Sequence, residues 1–359
     1  MYKRQISLIF VILYIRKGKC EDILIIKTLK RLTFSLVLIF LASCGDSNRS
    51  DSLTIGTNPA GTFYYVVGTG LSKLFNESLG VRSTAQPASG SAVYVPLINN
   101  GEMSLGFSTS IEAGSYLNGQ LNLTEQPNLR VLMKFWVMPY GYMVRADSGI
   151  RHLADLKGKN VVDEQSANLT LSIGNRLMLQ SAGLDVNDYN AITVGGLPQG
   201  ITAVTDGLAD AAPIALGQGN VRKAHATTPG GIQFLDMSDI DSVQDFFANQ
   251  KKGFNAYTVS EDDQLPGASE GLITGSVDIY LISSVSMSEE IAEDIISVIE
   301  NNWQSLENQF AALKRGSPSM FVDENHTIPY HQGAVNYYKK KGLWSDVLEE
   351  RNQMLLLSQ

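Results

Sequence analysis

Groups for thiol and metal chemistry are scarce in this chain, which has two cysteines and four histidines among 359 residues. His152, His225, His326 and His331 are scattered, and the one close pair, His326 and His331, stands five apart in a Pro-containing loop. Each reads as a surface or structural residue, and no metal site is expected. The phosphate loop G-x-x-x-x-G-K-[ST], the dinucleotide fingerprint G-x-G-x-x-G, the zinc motif H-E-x-x-H and the redox pair C-x-x-C are all missing. A binding protein with no cofactor and no catalytic residue is therefore expected ahead of an enzyme. Basic residues are also short. The formal charge is −8, the isoelectric point is about 5.1, and no Lys/Arg-rich stripe occurs beyond residue 31. Nucleic acid is not an expected partner on that account. Apolar runs are brief, whereas a bilayer core of roughly 30 Å asks for about 20 consecutive apolar residues in a helix. With 44% hydrophobic residues the chain can still bury one or two cores, which separates it from a disordered acidic tail.

The charge that is present divides unevenly. Residues 1–43 carry eight Lys or Arg against Glu21 and Asp22, a net of +6, which leaves −14 on the rest. There, Lys27–Arg31 precedes the apolar run Leu32–Leu41 and then Leu41-Ala42-Ser43-Cys44, the order of a secretory signal. The tetrapeptide resembles a bacterial lipobox, which implies cleavage before Cys44 and acylation of its thiol. Each buried CH₂ adds roughly 0.8 kcal/mol, so several acyl chains on one Cys hold a protein at a membrane. Residues 44–51 are polar and suit a flexible tether. A second apolar run, Ile6–Ile15, precedes the signal, and residues 1–26 are expected to lie ahead of the true start. The expectation is an exported protein, periplasmic or at the cell surface, lipid-anchored through Cys44 and without a disulfide.

Beyond the tether, strand and helix signals alternate. Leu53–Thr57 reads as a strand, Asn58–Gly61 as a turn and Phe63–Leu79 as a helix with apolar residues at Val67, Leu71, Leu74 and Phe75, stopped by Gly80. Val81–Gln86 is the next strand, Ser89-Gly90-Ser91 a turn opening a helix, and Ser104–Ser108 a third strand. The same grammar returns in Lys159–Val162, a loop over Asp163–Asn168, a helix to Ala182, a strand over Ala191–Val194, a helical stretch Leu197–Gly207 and a strand over Ala211–Ile214. Repeated βα units predict parallel α/β sheets covered by helices. The residues from 44 to 359 exceed the size, about 250–300, at which single cores stop growing, so two lobes are expected. Extended runs at Tyr140–Arg145 and Val277–Ser283 bracket the second set of units and provide two crossings. Lobe I is placed at 52–142 plus 278–359 and lobe II at 143–277, with a ligand cleft between them.

Candidate binding groups are neutral. Thr57, Asn58 and Thr62, then Ser89 and Ser91, then Ser108, Thr109 and Ser110, then Gln165, Ser166 and Asn168 all fall where a strand hands over to a helix or loop. Hydroxyls and amides beside free helix N–H groups suit a carboxylate or other small anion. Ser, Thr and Asn are also ordinary N-cap residues, and any one position can be only that. The adjacent acids Asp163-Glu164 and Asp262-Asp263 would point apart on regular structure.

Several segments resemble the TAXI-type solute receptors of tripartite ATP-independent periplasmic (TRAP) transporters. They are Thr54–Thr57 through Gly61–Tyr65, Ser89-Gly90-Ser91, Val144–Ile150 with Leu153, Asp155–Lys159, and Ile328–Val335 with Tyr337-Tyr338. The resemblance covers about residues 52–343. It implies a type II periplasmic-binding-protein fold, two-lobed α/β with two hinge crossings, closing over a small organic acid or amino acid such as glutamate or 2-oxoglutarate. It also implies delivery to TRAP membrane permease subunits driven by a sodium gradient. Carried over residue by residue, it places Asn58, Gly61, Thr62, Tyr64, Ser89, Ser91, Ser108 and Thr109 in the first-lobe loops, and Gln165, Ser166, Asn168, Gln199 and Gln218 in the second. An exported sensor presenting its solute to a membrane kinase is the alternative.

This chain departs from the family's Gly-rich segment at Asp163–Asn168, and has Tyr94 where an Asn is usual. An acidic pair beside the pocket would repel a carboxylate, so either Asp163 and Glu164 face solvent or the solute presents a cation there. Lys134, Arg145 and Arg222 are candidate counter-charges, and Trp136 and Tyr140 candidate apolar walls.

Overall fold

Residues 52–250 and 253–358 are described by the structure, a computed structural model. The leader, Cys44 and the tether lie outside the described residues. In chain order the first elements are β1 (Ser52–Thr57), α1 (Phe63–Ser78), β2 (Arg82–Pro87), α2 (Ser91–Asn99), β3 (Leu105–Thr109) and α3 (Ser110–Leu117). The long strand β4 (Leu129–Arg145) leads into β5 (Asn160–Gln165), α4 (Leu171–Ser181), β6 (Asn190–Val194), α5 (Leu197–Thr205), β7 (Ala211–Ala215) and α6 (Gly219–Thr227). Then come β8 (Ile232–Phe234), α7 (Val243–Gln250), β9 (Phe254–Thr258), β10 (Ile273–Ser284), α8 (Glu289–Asn301), α9 (Trp303–Gln309), α10 (Gln332–Lys340) and α11 (Asp346–Leu357).

The ten strands among the described residues belong to one sheet, with β2-β1-β3-β10-β4-β7-β5-β6 as its main path, β8 beside β4 and β9 beside β10. Parallel β2-β1-β3 forms one flank and parallel β7-β5-β6 the other. Between them β4 and β10 run antiparallel, paired from Leu129↔Ser284 to Tyr140↔Gly275. The crossing points expected at 142/143 and 277/278 fall inside these two strands. Both are longer than the runs expected for them. β4 is buried along nearly its whole length, so it reads as a continuous apolar run rather than an alternating one.

The helices lie as their sequences dictate. α1 buries Tyr64, Val67, Leu71 and Phe75, spaced three and four apart on one stripe. Thr62 caps it, its hydroxyl accepting from the Tyr65 N–H at 3.4 Å. Where the flank meets the central pair, the rings of Tyr64, Phe107, Phe135 and Trp136 pack with centroids 5.2 to 6.1 Å apart. Trp136 is fully buried in this cluster, which makes it core rather than a pocket wall.

Two expectations are corrected along β5. Asp163–Gln165, expected to be loop, continues the strand, and only Ser166–Asn168 forms a short 3₁₀ turn. The β5–β6 register shifts between Val162 and Glu164. A bulge of this kind re-aims side chains, so the adjacent acids, expected to point apart, both reach Arg176. Arg176 donates to Asp163 Oδ2 at 2.9 and 2.7 Å and also to Glu164 Oε1.

Candidate ligand-binding site

A cavity opens where the two flanks meet, at the carboxyl ends of their parallel strands, the position at which α/β folds accept ligands. It is nearly shut, with a free volume of about 20 Å³, room for about one water molecule. One flank supplies Asn58, Thr62, Phe63 and Tyr64 from the β1–α1 loop and the start of α1, with Thr109 and Glu112 from the β3–α3 junction. The other supplies Asn168 and Leu171 near the start of α4, Leu197 at the start of α5, and Ala215 and Gln218 between β7 and α6. Met138 and Tyr140 of β4 form the floor.

Glu112 is the charged group of this cavity, and local sequence fixes its place. Thr109-Ser110-Ile111-Glu112 is a capping box: Thr109 Oγ1 accepts from the Glu112 N–H at 3.0 Å, and Glu112 Oε2 accepts from the Thr109 N–H at 3.2 Å. Ser91 donates to Glu112 Oε1 at 2.6 Å, and Asn168 Nδ2 donates to Ser91 Oγ at 3.1 Å, so a hydrogen-bonded chain joins the two flanks. Burial pushes the Glu112 carboxyl above the usual carboxylate range, against the pull of Ser91 and the Thr109 N–H. No Lys, Arg or His lines the cavity among the described residues. Burial and then the Glu112 charge hold the Tyr64 and Tyr140 phenols well above their ordinary value, so both stay neutral. Tyr140 donates to Asn175 Oδ1 at 2.9 Å. Asn58 Oδ1 and Gln218 Nε2 are buried with no partner in the protein, the kind of polar atom that a bound solute can satisfy.

Six expected residues line the cavity: Asn58, Thr62, Tyr64, Thr109, Asn168 and Gln218. Ser91 stands one hydrogen bond behind it, on Glu112. Gly61 is not on the wall but lets the walls meet. Its φ is +87°, a Cβ there would fall 2.0 Å from Asn220 Oδ1, and the Asn220 N–H donates to its carbonyl at 3.2 Å. The other expected residues are corrected. Ser108 is buried with its hydroxyl donating to the Thr109 carbonyl, and Gln165 is turned into the sheet, donating to the Pro213 carbonyl at 3.2 Å. Ser89, Ser166 and Gln199 are exposed and do not line the cavity. The longer β5 accounts for two of these: it carries Gln165 inward as a strand residue and Ser166 out past the wall.

The candidate counter-charges lie elsewhere. Lys134 pairs with Asp278 at 2.8 Å, Arg145 with Asp147 at 2.9 Å, and Arg222 donates to the Gly217 carbonyl. Asp163 and Glu164, held by Arg176, do not line the cavity either. Sequence reasoning missed Glu112 and the apolar Phe63, Met138, Leu171 and Leu197. The spacing T-x-x-E at Thr109–Glu112 was the available signal for Glu112.

Enzymatic groupings are weak. Gly267-Ala268-Ser269-Glu270-Gly271 has the spacing of a nucleophile elbow, yet it lies in the loop before β10 rather than on a strand-to-helix turn. Ser269 is exposed, and no hydrogen bond joins it to His152, whose ring stands 3.3 Å from Asp239. His326 and His331 are structural. His331 caps α10, and burial holds His326 down at about 4. Among the described residues no group of His, Cys, Asp and Glu could hold a metal, and no helix is long and apolar enough to cross a membrane.

Comparison with known proteins gives a family and a fold. The NMT1-like family model matches residues 55–342. Among solved structures, "a periplasmic transporter" is 10% identical with a TM-score of 0.54, covering 86% of this chain and 97% of that one. PhnD1 from Prochlorococcus marinus, solved with methylphosphonate, is 14% identical with a TM-score of 0.51, covering 82% and 99%. The alkanesulfonate-binding protein SsuA from Xanthomonas axonopodis pv. citri, bound to MOPS, is 15% identical with a TM-score of 0.45, covering 86% and 96%. The mixed α/β architecture is that of the type II periplasmic-binding proteins.

Proposed function

Because the chain belongs to the NMT1-like family, we propose that it is an extracytoplasmic receptor that binds a small organic acid or amino acid and delivers it to a membrane transporter. The observation that carries this reading is the cavity itself. Both flanks line it, it holds polar atoms without protein partners, and among the described residues no catalytic grouping accompanies it. Residues 52–142 with 278–359, and 143–277, act as two lobes hinged on β4 and β10. Solute contacts from both lobes favour the closed form by the solute's differential affinity for it. The TAXI resemblance makes the partner a TRAP-type permease.

Thermal unfolding of the purified protein against organic acids and amino acids tests the reading. A solute at a hundred times its Kd should stabilise the fold by about 2.7 kcal/mol, a rise of several degrees. A flat response across both classes would sink the receptor reading. For a solute that does bind, cellular uptake indifferent to the sodium gradient would remove the TRAP-type permease.

Export and the tether belong to the same reading, with Cys44 as the acylated residue. Radiolabelled fatty acid should enter the wild-type protein and not Cys44→Ser; label persisting in the variant would remove the lipid anchor.

A further inference from the structure

We infer that Glu112 anchors a protonated amino group, so that the solute is a neutral amino acid or similar zwitterionic amine rather than a dicarboxylate. This assignment rests on the receptor reading and narrows it. Glu112 is 1% exposed and lines the cavity, where no basic side chain stands to neutralise it. Ser91 Oγ donates to one of its oxygens and the Thr109 N–H to the other, and the Thr170 and Asn168 side chains add weaker hydrogen-bond stabilisation of the charge. Asn58 Oδ1, buried without a partner in the same cavity, is a second acceptor. Both acceptors belong to the β2-β1-β3 flank, while Asn168 Oδ1, also buried and without a partner, is a third acceptor on the opposite wall.

The opposite flank offers the complementary group. Gln218 Nε2 is a buried donor without a partner, and Gln218 is the N-cap of the nine-residue α6, whose positive dipole end favours negative charge. An ammonium at Glu112 and one carboxylate towards Gln218 leave the solute's side chain to Phe63, Met138 and Leu171. A second carboxylate would find Glu112 of its own sign and no counter-charge, since Lys134 is tied to Asp278 and Arg176 to Asp163 and Glu164. Charging Glu112 beside a bound ammonium also relieves the cost of its burial.

The test varies the solute first and the protein second. The full chain is titrated calorimetrically with the standard L-amino acids, with the 2-oxo acid of the same skeleton for each that binds, and with succinate and 2-oxoglutarate. An amino acid should bind about tenfold or more tightly than its 2-oxo counterpart, and glutamine more tightly than glutamate. In Glu112→Gln, which keeps a capping-box residue, affinity for the amino acid should fall about tenfold or more and the preference over the oxo acid should vanish. Equal or tighter binding of oxo acids or dicarboxylates would overturn the assignment while leaving the receptor reading in place. So would glutamate binding more tightly than glutamine, or a preference unchanged in Glu112→Gln. Silence from every amino acid overturns it too, and silence from the acids as well removes the receptor reading.

Discussion

Gly90→Ala is expected to weaken solute binding by roughly 150-fold while leaving the solute-free protein close to wild-type stability. Gly90 caps α2 in extended backbone that any residue can adopt, with φ 173° and ψ 179°, so the substitution carries no backbone strain. Space is what forbids it. A Cβ at Gly90 would fall 2.1 Å from the carbonyl oxygen of Ala167 and 2.7 Å from Asn168 Oδ1, both on the other flank. The obstacle at Ala167 is backbone, which cannot swing aside as a side-chain tip can. Overpacking of this kind costs up to about 3 kcal/mol, and at about 1.4 kcal/mol per decade that is roughly 150-fold in affinity when only the closed form bears it. Isothermal titration against the best solute reads the first part of this expectation, and urea unfolding without solute reads the second. Unchanged affinity would show that the contact is no part of closure. An equal loss of stability in the solute-free protein would show that the two flanks stay together whether or not solute is bound.

Gly90 also marks how far the sequence could be read. The turn Ser89-Gly90-Ser91 was legible as punctuation between strand and helix, because turn chemistry is local. The reason for the glycine was not, since it faces Ala167, which is distant in sequence and reaches Gly90 only through tertiary structure. The cavity divides likewise. Thr62 and Thr109 were legible because helix caps are written within four residues. Glu112 carried the same local signal as the far end of the Thr109 box, but an acid inside a helix reads as a solvated face until burial is known. Gln165 and Ser166 were misplaced by a strand that continues through two acids, residues depleted from strands. Pairing with Arg176 compensates for that composition, and the pairing spans a whole βα connection.

Arg176→Met is expected to destabilise the protein by about 3 kcal/mol and to leave solute affinity unchanged within a factor of about two. Arg176 bridges two carboxylates, and the Asp163 side chain is only 3% exposed. Removing the guanidinium strands that charge in the interior, a loss of about 3–5 kcal/mol for a buried pair. The low end applies here because Arg176 itself is 36% exposed and water screens its outer side. Tyr189 donates to Asp163 Oδ1 at 3.3 Å, and burial followed by the Asp163 charge pushes its phenol up to about 12, so it stays a donor in the variant. One neutral hydrogen bond does not replace a bidentate cation. The Asp163 carbonyl accepts from Asn175 Nδ2 at 2.8 Å, and Asn175 Oδ1 accepts from Tyr140 on the cavity floor. Backbone and amide make that link, so it survives loss of the arginine, and binding separates from stability. Urea unfolding should show a lower midpoint at unchanged slope. The double variant Asp163→Asn with Arg176→Met should recover most of the loss, because no charge is then left unpaired at Asp163. A single variant within about 1 kcal/mol of wild type, or a double variant no more stable than the single, would mean that the stranded charge is not what Arg176 prevents.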